Sequence, residues 1–141
     1  MNELILLTRT LIDTAIVILI WLVQFIIYPV YHHIEKNDFP QWHYNYMQSI
    51  SYFVMPLMLA QGFIIIYQCF HRPSYLVYLS ALGILIAWLS TFIYSVPCHN
   101  LLQQDGYDEI VTNRLVLTNW IRTISWTFVL IFGIISYRKI L

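Results

Sequence analysis

His43, His99, Asn119 and Arg122 are the side chains of this sequence best suited to chemistry. Of all side chains, an imidazole has its ordinary pKa closest to neutrality, so His43 and His99 suit acid–base work. His99 stands in SVPCHNLL, residues 95–102, directly after a long apolar run. Arg122 stands inside such a run, in LTNWIRTISW, residues 117–126. An arginine near the centre of a membrane helix costs about 2.5–3.5 kcal/mol on insertion scales, so something must compensate for it. One compensation is a structural clasp, in which Arg122 snorkels and donates to Asn119, Gln24 or loop carbonyls. The other is functional: the guanidinium holds a developing negative charge or an anionic ligand in a pocket open to the outer face. Asn119, Arg122 and Trp126 fall at i, i+3 and i+7 and so share one helix face.

Asp13 and Gln24 are eleven residues apart, which returns to nearly the same helix face, and Tyr28 follows one turn above Gln24. Counted from the outer boundary at about 1.5 Å per residue, Gln24 and Arg122 lie about 10 Å down, and Asp13 and Gln61 about 25 Å down. This predicts an outer layer where Gln24 and Arg122 meet, and an inner layer where Asp13 is solvated or paired with Gln61, too deep to reach Arg122. His43 and His99 belong at similar depth above the outer layer. They admit two cofactor alternatives, a metal completed by Cys98 or His33 and a haem held by two axial histidines. There is no HExxH or paired CxxC, and the adjacent His32 and His33 diverge on a helix, so no cofactor is expected. Interfacial histidines without chemistry are the plain alternative, and His71 beside Arg72 reads as a loop residue.

The elements that must position these groups are membrane helices. In 141 residues, 60% are apolar and 10% charged, with a mean hydropathy of +0.67, a composition outside the range of soluble domains. Four apolar stretches, about 10–31, 44–70, 75–96 and 115–137, each reach the roughly 20 residues that cross a bilayer core. The first carries Arg9 and Asp13 early and no small-residue cleavage pattern after it, so it reads as a retained span. The expected fold is all-α, an integral membrane up-and-down four-helix bundle forming a single domain over residues 1–141. Asn37 or Asp38 with Pro40 reads as the start of span two, and Pro56 as a kink within it. Pro97 reads as the end of span three, and Asp108 as the cap of the last helix. Arg9, Arg72, Arg138 and Lys139 on one face outnumber Lys36 and Arg114 on the other, which places both termini in the cytoplasm. Cys69 and Cys98 fall at opposite ends of the bundle, so no disulfide joins them. A formal net charge of zero gives no basic patch for nucleic acid. Tyr28, Tyr31, Trp42, Tyr44 and Tyr46 at one boundary, with Tyr67, Phe70, Tyr75, Tyr78 and Tyr137 at the other, read as aromatic belts, while Trp88, Trp120 and Trp126 read as core packing.

The run YPVYHHIEKNDFPQWHYNYMQSISYFVMPLMLAQ, residues 28–61, followed by VPCHNLLQQDGYDEIVTNRLVLTNWIRT, residues 96–123, resembles small four-helix bacterial membrane proteins of unknown function. More distantly it resembles the anthrone-oxygenase-like membrane family. The shared features are a Tyr-Pro closing span one, a proline in span two, a Pro-x-His-Asn-x-Leu turn and an Asn-Trp-x-Arg in span four. That distant resemblance implies oxidation of a flat polyketide aromatic by dioxygen without an obvious prosthetic group, while the resemblance to the small bacterial proteins implies a bacterial inner membrane as the location. The matched positions are Tyr28, Pro29, Pro97, His99, Asn100, Asn119, Trp120 and Arg122. The expectation is a four-span protein with a polar pocket near the outer face around His99, Asn119 and Arg122, in contact with the bilayer and able to take a small hydrophobic ligand. As an oxidoreductase or oxygenase-like enzyme it would use His99 or His43 for proton transfer, Arg122 and Asn119 for an oxyanion, and Gln24, Tyr28, Asn100 and Trp120 to bind the substrate. As an accessory or transport-related subunit it would use Arg122, Asn119 and Gln24 to lock its helices together, and a transport role resting on Asp13 would call for a homo-oligomer.

Overall fold

A computed structural model of the chain describes residues 2–138. Four long helices, α1 (Glu3–His33), α2 (Phe39–His71), α3 (Tyr75–Asp105) and α4 (Glu109–Arg138), run up and down, each long and apolar enough to cross a membrane. No strand occurs among the described residues. The α2–α3 turn is short because Ser74 accepts from the Val77 amide at 3.3 Å and caps α3 at once. Asp108 Oδ1 accepts from the Val111 amide at 2.8 Å and starts α4 as expected. Gly106, at φ +81°, makes the reversal before it, a backbone angle that favours glycine. The end holding residues 34–38 and 106–108 is called here the two-loop end, and the opposite one the terminal end.

Each helix extends beyond its apolar stretch. The first α-helical segment spans Asn2–Leu22, so Arg9 lies well inside a helix rather than ahead of it. α2 starts at Phe39 with Pro40 in its first turn, although Asp38 makes no side-chain cap, and it continues through Pro56. α3 does not end at Pro97 but continues eight residues further, to Asp105. A proline inside a helix lacks the N–H for its i−4 bond and its ring collides with that carbonyl. Here a wider π turn, Thr91–Ser95, precedes the proline, and the Val96 amide reaches back five residues to Thr91 O. The extra residue in the turn makes room for the ring, so the helix passes through. α1 repeats the device, with a π turn at Val23–Ile27, the Tyr28 amide bonded to Val23 O, and Pro29 next.

α4 packs most closely on α3 and α1, and α2 is the most loosely held helix. The core divides into a cluster at the two-loop end around Tyr31, Phe39 and Leu115, a middle one around Ile16, Met58 and Trp126, and one toward the terminal end around Ile65 and Val129. Outside this core, residues such as Phe63 and Leu117 are more than 70% exposed. A surface this apolar on four such helices belongs against lipid. The chain is thus built as an integral membrane protein. Two tyrosines assigned to the belt lie in the core instead: Tyr28 and Tyr31 are buried, with Tyr31 edge-on to Tyr28, Phe39, Trp42, His43 and Tyr46. Trp42 and Tyr46 are half-buried and stack on each other, whereas Tyr44 stays exposed. Cys98 is buried, Cys69 half-buried, and both are unbridged.

Candidate functional site

Two polar layers cross the bundle. In the layer toward the terminal end, the Arg9 guanidinium donates to Asp13 Oδ2 at 3.2 Å, to Gln68 Oε1 at 2.8 Å and to Ser80 Oγ at 2.5 Å. Gln61 Nε2 donates to Asp13 Oδ1 at 2.6 Å, and Trp126 Nε1 to Gln61 Oε1 at 3.1 Å. One ion pair therefore joins all four helices. Gly133 admits it: a Cβ there would sit 3.2 Å from Asp13 Oδ2. The pairing of Asp13 with Gln61 follows the depth count, but Arg9 corrects the orientation count, because it is buried inside the bundle and neutralised rather than facing a cytoplasmic surface.

The second layer lies nearer the two-loop end. Arg122 Nη2 donates to the Tyr28 hydroxyl at 3.0 Å, and Asn119 Nδ2 donates to Gln24 Oε1 at 2.7 Å. The expected Gln24–Arg122 meeting does not occur: Gln24 lies inside the π turn at Val23–Ile27, which shifts the phase between it and Tyr28, and Tyr28 is the residue that meets Arg122. Arg122 is 8% exposed, its Nε has no partner, and the one ion pair among the described residues is Arg9–Asp13, so no carboxylate offsets its charge.

From Tyr28 a line of hydrogen bonds leads away. His99 Nε2 lies 3.5 Å from the Tyr28 hydroxyl, His99 Nδ1 3.0 Å from His43 Nε2, and His43 Nδ1 2.9 Å from Gln103 Oε1. Gln103 Nε2 donates to Pro40 O at 3.2 Å, which assigns its Oε1 as the acceptor. His43 must then carry its proton on Nδ1, and its Nε2 lone pair accepts from His99 Nδ1–H. That leaves the His99 Nε2 lone pair facing Tyr28. Phe39 stacks on the outer side of His43 with ring centroids 5.5 Å apart, so the imidazole is held between Phe39 and His99. At the rim, His32 Nδ1 lies 2.7 Å from the Tyr107 hydroxyl, whose pKa is pushed up by desolvation first and then by Glu109 and Asp108.

A cavity of about 420 Å³ opens below this line, with Tyr28, Tyr46, His99 and Arg122 in its wall at one end and Met58 and Trp126 toward the other. Most of its wall is apolar. Lining residues Met55, Leu59 and Phe92 are 60%, 52% and 60% exposed, and Val96 joins them, so the mouth lies between α2 and α3 on the lipid-facing flank.

The structure brings His43, His99, Tyr28 and Arg122 together, and three of them line the cavity while His43 stands behind His99. Asn119 and Gln24 are buried but form a separate clasp between α1 and α4 outside the cavity wall. Asn100 is exposed and does not line this cavity. Trp120 sits half-buried, edge-on to Trp21 and Phe25, and forms no cavity wall. His43 Nε2 and His99 Nδ1 stand 3.0 Å apart, a hydrogen-bonding distance. Among the described residues no three His, Cys, Asp or Glu side chains gather to hold a metal, and His33 is exposed while Cys98 packs in the core. Sequence reasoning passed over Gln103 and Tyr46. Gln103 lies one turn after His99 and shares its helix face, which was the available signal.

The site thus defines a four-span helical membrane protein with a laterally open, mostly apolar cavity capped by a cation and two imidazoles. No family model, curated protein or solved structure matches the chain.

Proposed function

We propose that this protein takes a small hydrophobic molecule sideways from the bilayer and holds its polar head at Arg122, Tyr28 and His99. The observation that carries the reading is Arg122, a whole positive charge in the wall of an apolar cavity with no carboxylate beside it among the described residues. A buried cation in a membrane protein is costly unless paired, and a bound ligand with an anionic or strongly accepting oxygen supplies the missing partner. The test is native mass spectrometry of protein released from a mild detergent. The expected result is an added mass in one-to-one amount that Arg122→Met loses, whereas the same bare mass for both proteins would sink the reading.

A second reading is favoured by the order of the hydrogen bonds from Gln103 to Tyr28. In it the site is an enzyme of the oxygenase-like kind: His99 Nε2 takes a proton from the bound substrate, His43 accepts the charge behind it, and Arg122 faces the developing oxyanion. The two readings share the pocket and differ in turnover, so a ligand recovered chemically unchanged after incubation with dioxygen favours the first.

A further inference from the structure

We infer that the ligand is a single-chain carboxylic acid, a fatty acid with its carboxylate at Arg122 and its chain extended along the cavity toward Met58 and Trp126. This rests on the binding reading above and names the class of ligand. The α2 lining runs from Tyr46 to Leu59, thirteen residues or about 20 Å of helix. A cavity of about 420 Å³ drawn out along that length favours a ligand extended along the helices, a polar head at one end and an apolar chain toward the other.

Charge selects the head. Arg122 carries one uncompensated positive charge, which one carboxylate balances, whereas a phosphate dianion would bury a surplus negative charge. At the far end the Trp126 N–H is bound to Gln61, and among the described residues the one lining N–H left without a protein partner there, that of Trp88, carries no charge to compete with Arg122 for a carboxylate. The direction also fits. The polar head of the cavity lies toward the two-loop end and the tail toward the middle of the bundle, the same way a fatty acid stands in that leaflet. A chain can therefore enter between Met55 and Leu59 of α2 and Phe92 and Val96 of α3 without turning over.

The test uses the whole protein in an uncharged detergent with cis-parinaric acid as the probe, excited by energy transfer from Trp88 and Trp126 in the cavity wall. The competitors are fatty acids of eight to twenty carbons, tetradecanol, a lysophosphatidate and anthracene-2-carboxylic acid. Tetradecanoic acid is expected to displace the probe about tenfold better than tetradecanol, and Arg122→Met to abolish that preference. Val54→Phe, which fills the tail region, should move the best chain length to a shorter acid and keep the preference for a carboxylate. Helicity in detergent establishes that each variant is folded, and Val54→Phe decides the matter should Arg122→Met not fold. Equal displacement by alcohol and acid, or tighter binding of the lysophosphatidate, overturns the carboxylate head. Binding of the anthracene acid, read by its own fluorescence, to a protein that takes neither the probe nor any chain acid overturns the chain and leaves the binding reading standing. Failure of the probe and all competitors to bind removes the binding reading itself.

Discussion

The chain buries two arginines, and their surroundings differ in one respect that decides what each does. Arg9 has Asp13, Gln68 and Ser80 around it, while Arg122 has Tyr28 and a cavity. Removing one member of a buried ion pair strands the other charge, at a cost of about 3–5 kcal/mol, whereas replacing both with apolar residues is often neutral or stabilising. Asp13→Leu should therefore lower the thermal stability of the detergent-solubilised protein strongly, and Arg9→Met with Asp13→Leu should restore most of it. Arg122→Met removes a charge that has no counter-charge, so its unfolding free energy should stay within about 1 kcal/mol of wild type, the value of the lost hydrogen bond to Tyr28. A loss at Arg122 as large as at Asp13 would make it a clasp and remove the argument for a ligand. The anomaly at Arg122 was legible in the sequence because charge inside an apolar run is conspicuous, but its partner was not. Arg9 was misplaced for the opposite reason: near the chain start it looked like an interfacial cation, although Asp13 four residues on is the pattern of a helical ion pair. At His43 and His99 the hydrogen-bond order requires Nδ1–H on both rings. Nitrogen NMR of the imidazoles should report that tautomer for the pair, with Gln103→Leu, which removes the acceptor at His43, releasing it.

At the scale of elements, the two π turns explain most of the difference between the expected and observed site. A helix read at 3.6 residues per turn keeps Gln24 and Tyr28 on one stripe and stops at Pro97. The real helices widen by one residue before Pro29 and Pro97, turn the following side chains to a new face and continue. Nothing in hydropathy marks such a turn, since Gln24, Thr91 and Ser95 within the two turns are no different from polar residues elsewhere in the spans, whereas caps such as Asp108 and the four long spans are written in composition and were read correctly in kind. A consequence follows for Pro97. Alanine restores the missing N–H, allows the turn to close into an ordinary α-helix, and rotates the segment beyond it by about 100°. Pro97→Ala should thus leave helicity and thermal stability at or above wild type while separating His99 from His43, seen as loss of the paired imidazole signals. Retention of that pairing with alanine in place would mean that packing around Cys98 and Leu102, not the proline, sets the direction of His99.

For the molecule as a whole, the question is which end faces the outside. With Arg9 neutralised in the interior, the orientation count reduces to Arg72 and Arg138 at the terminal end, followed in the sequence by Lys139, which lies outside the described residues, against Lys36 and Arg114 at the two-loop end. We propose that the terminal end is cytoplasmic, as the larger basic count directs. The cavity head, near the two-loop end, then lies in the outer leaflet, and any acid that enters between α2 and α3 comes from that leaflet. A protein with Cys69→Ser and Cys98→Ser as background separates the possibilities. Asn37 and His71 are exposed positions at opposite ends of α2. Asn37→Cys should react with a membrane-impermeant maleimide on intact cells, and His71→Cys only after the cells are opened. The reverse pattern would turn the bundle over and make the inner leaflet the source of the ligand, while the lateral mouth, the Arg122 head site and the dimensions of the cavity would stay as they are, because none of them depends on which side is cytoplasm.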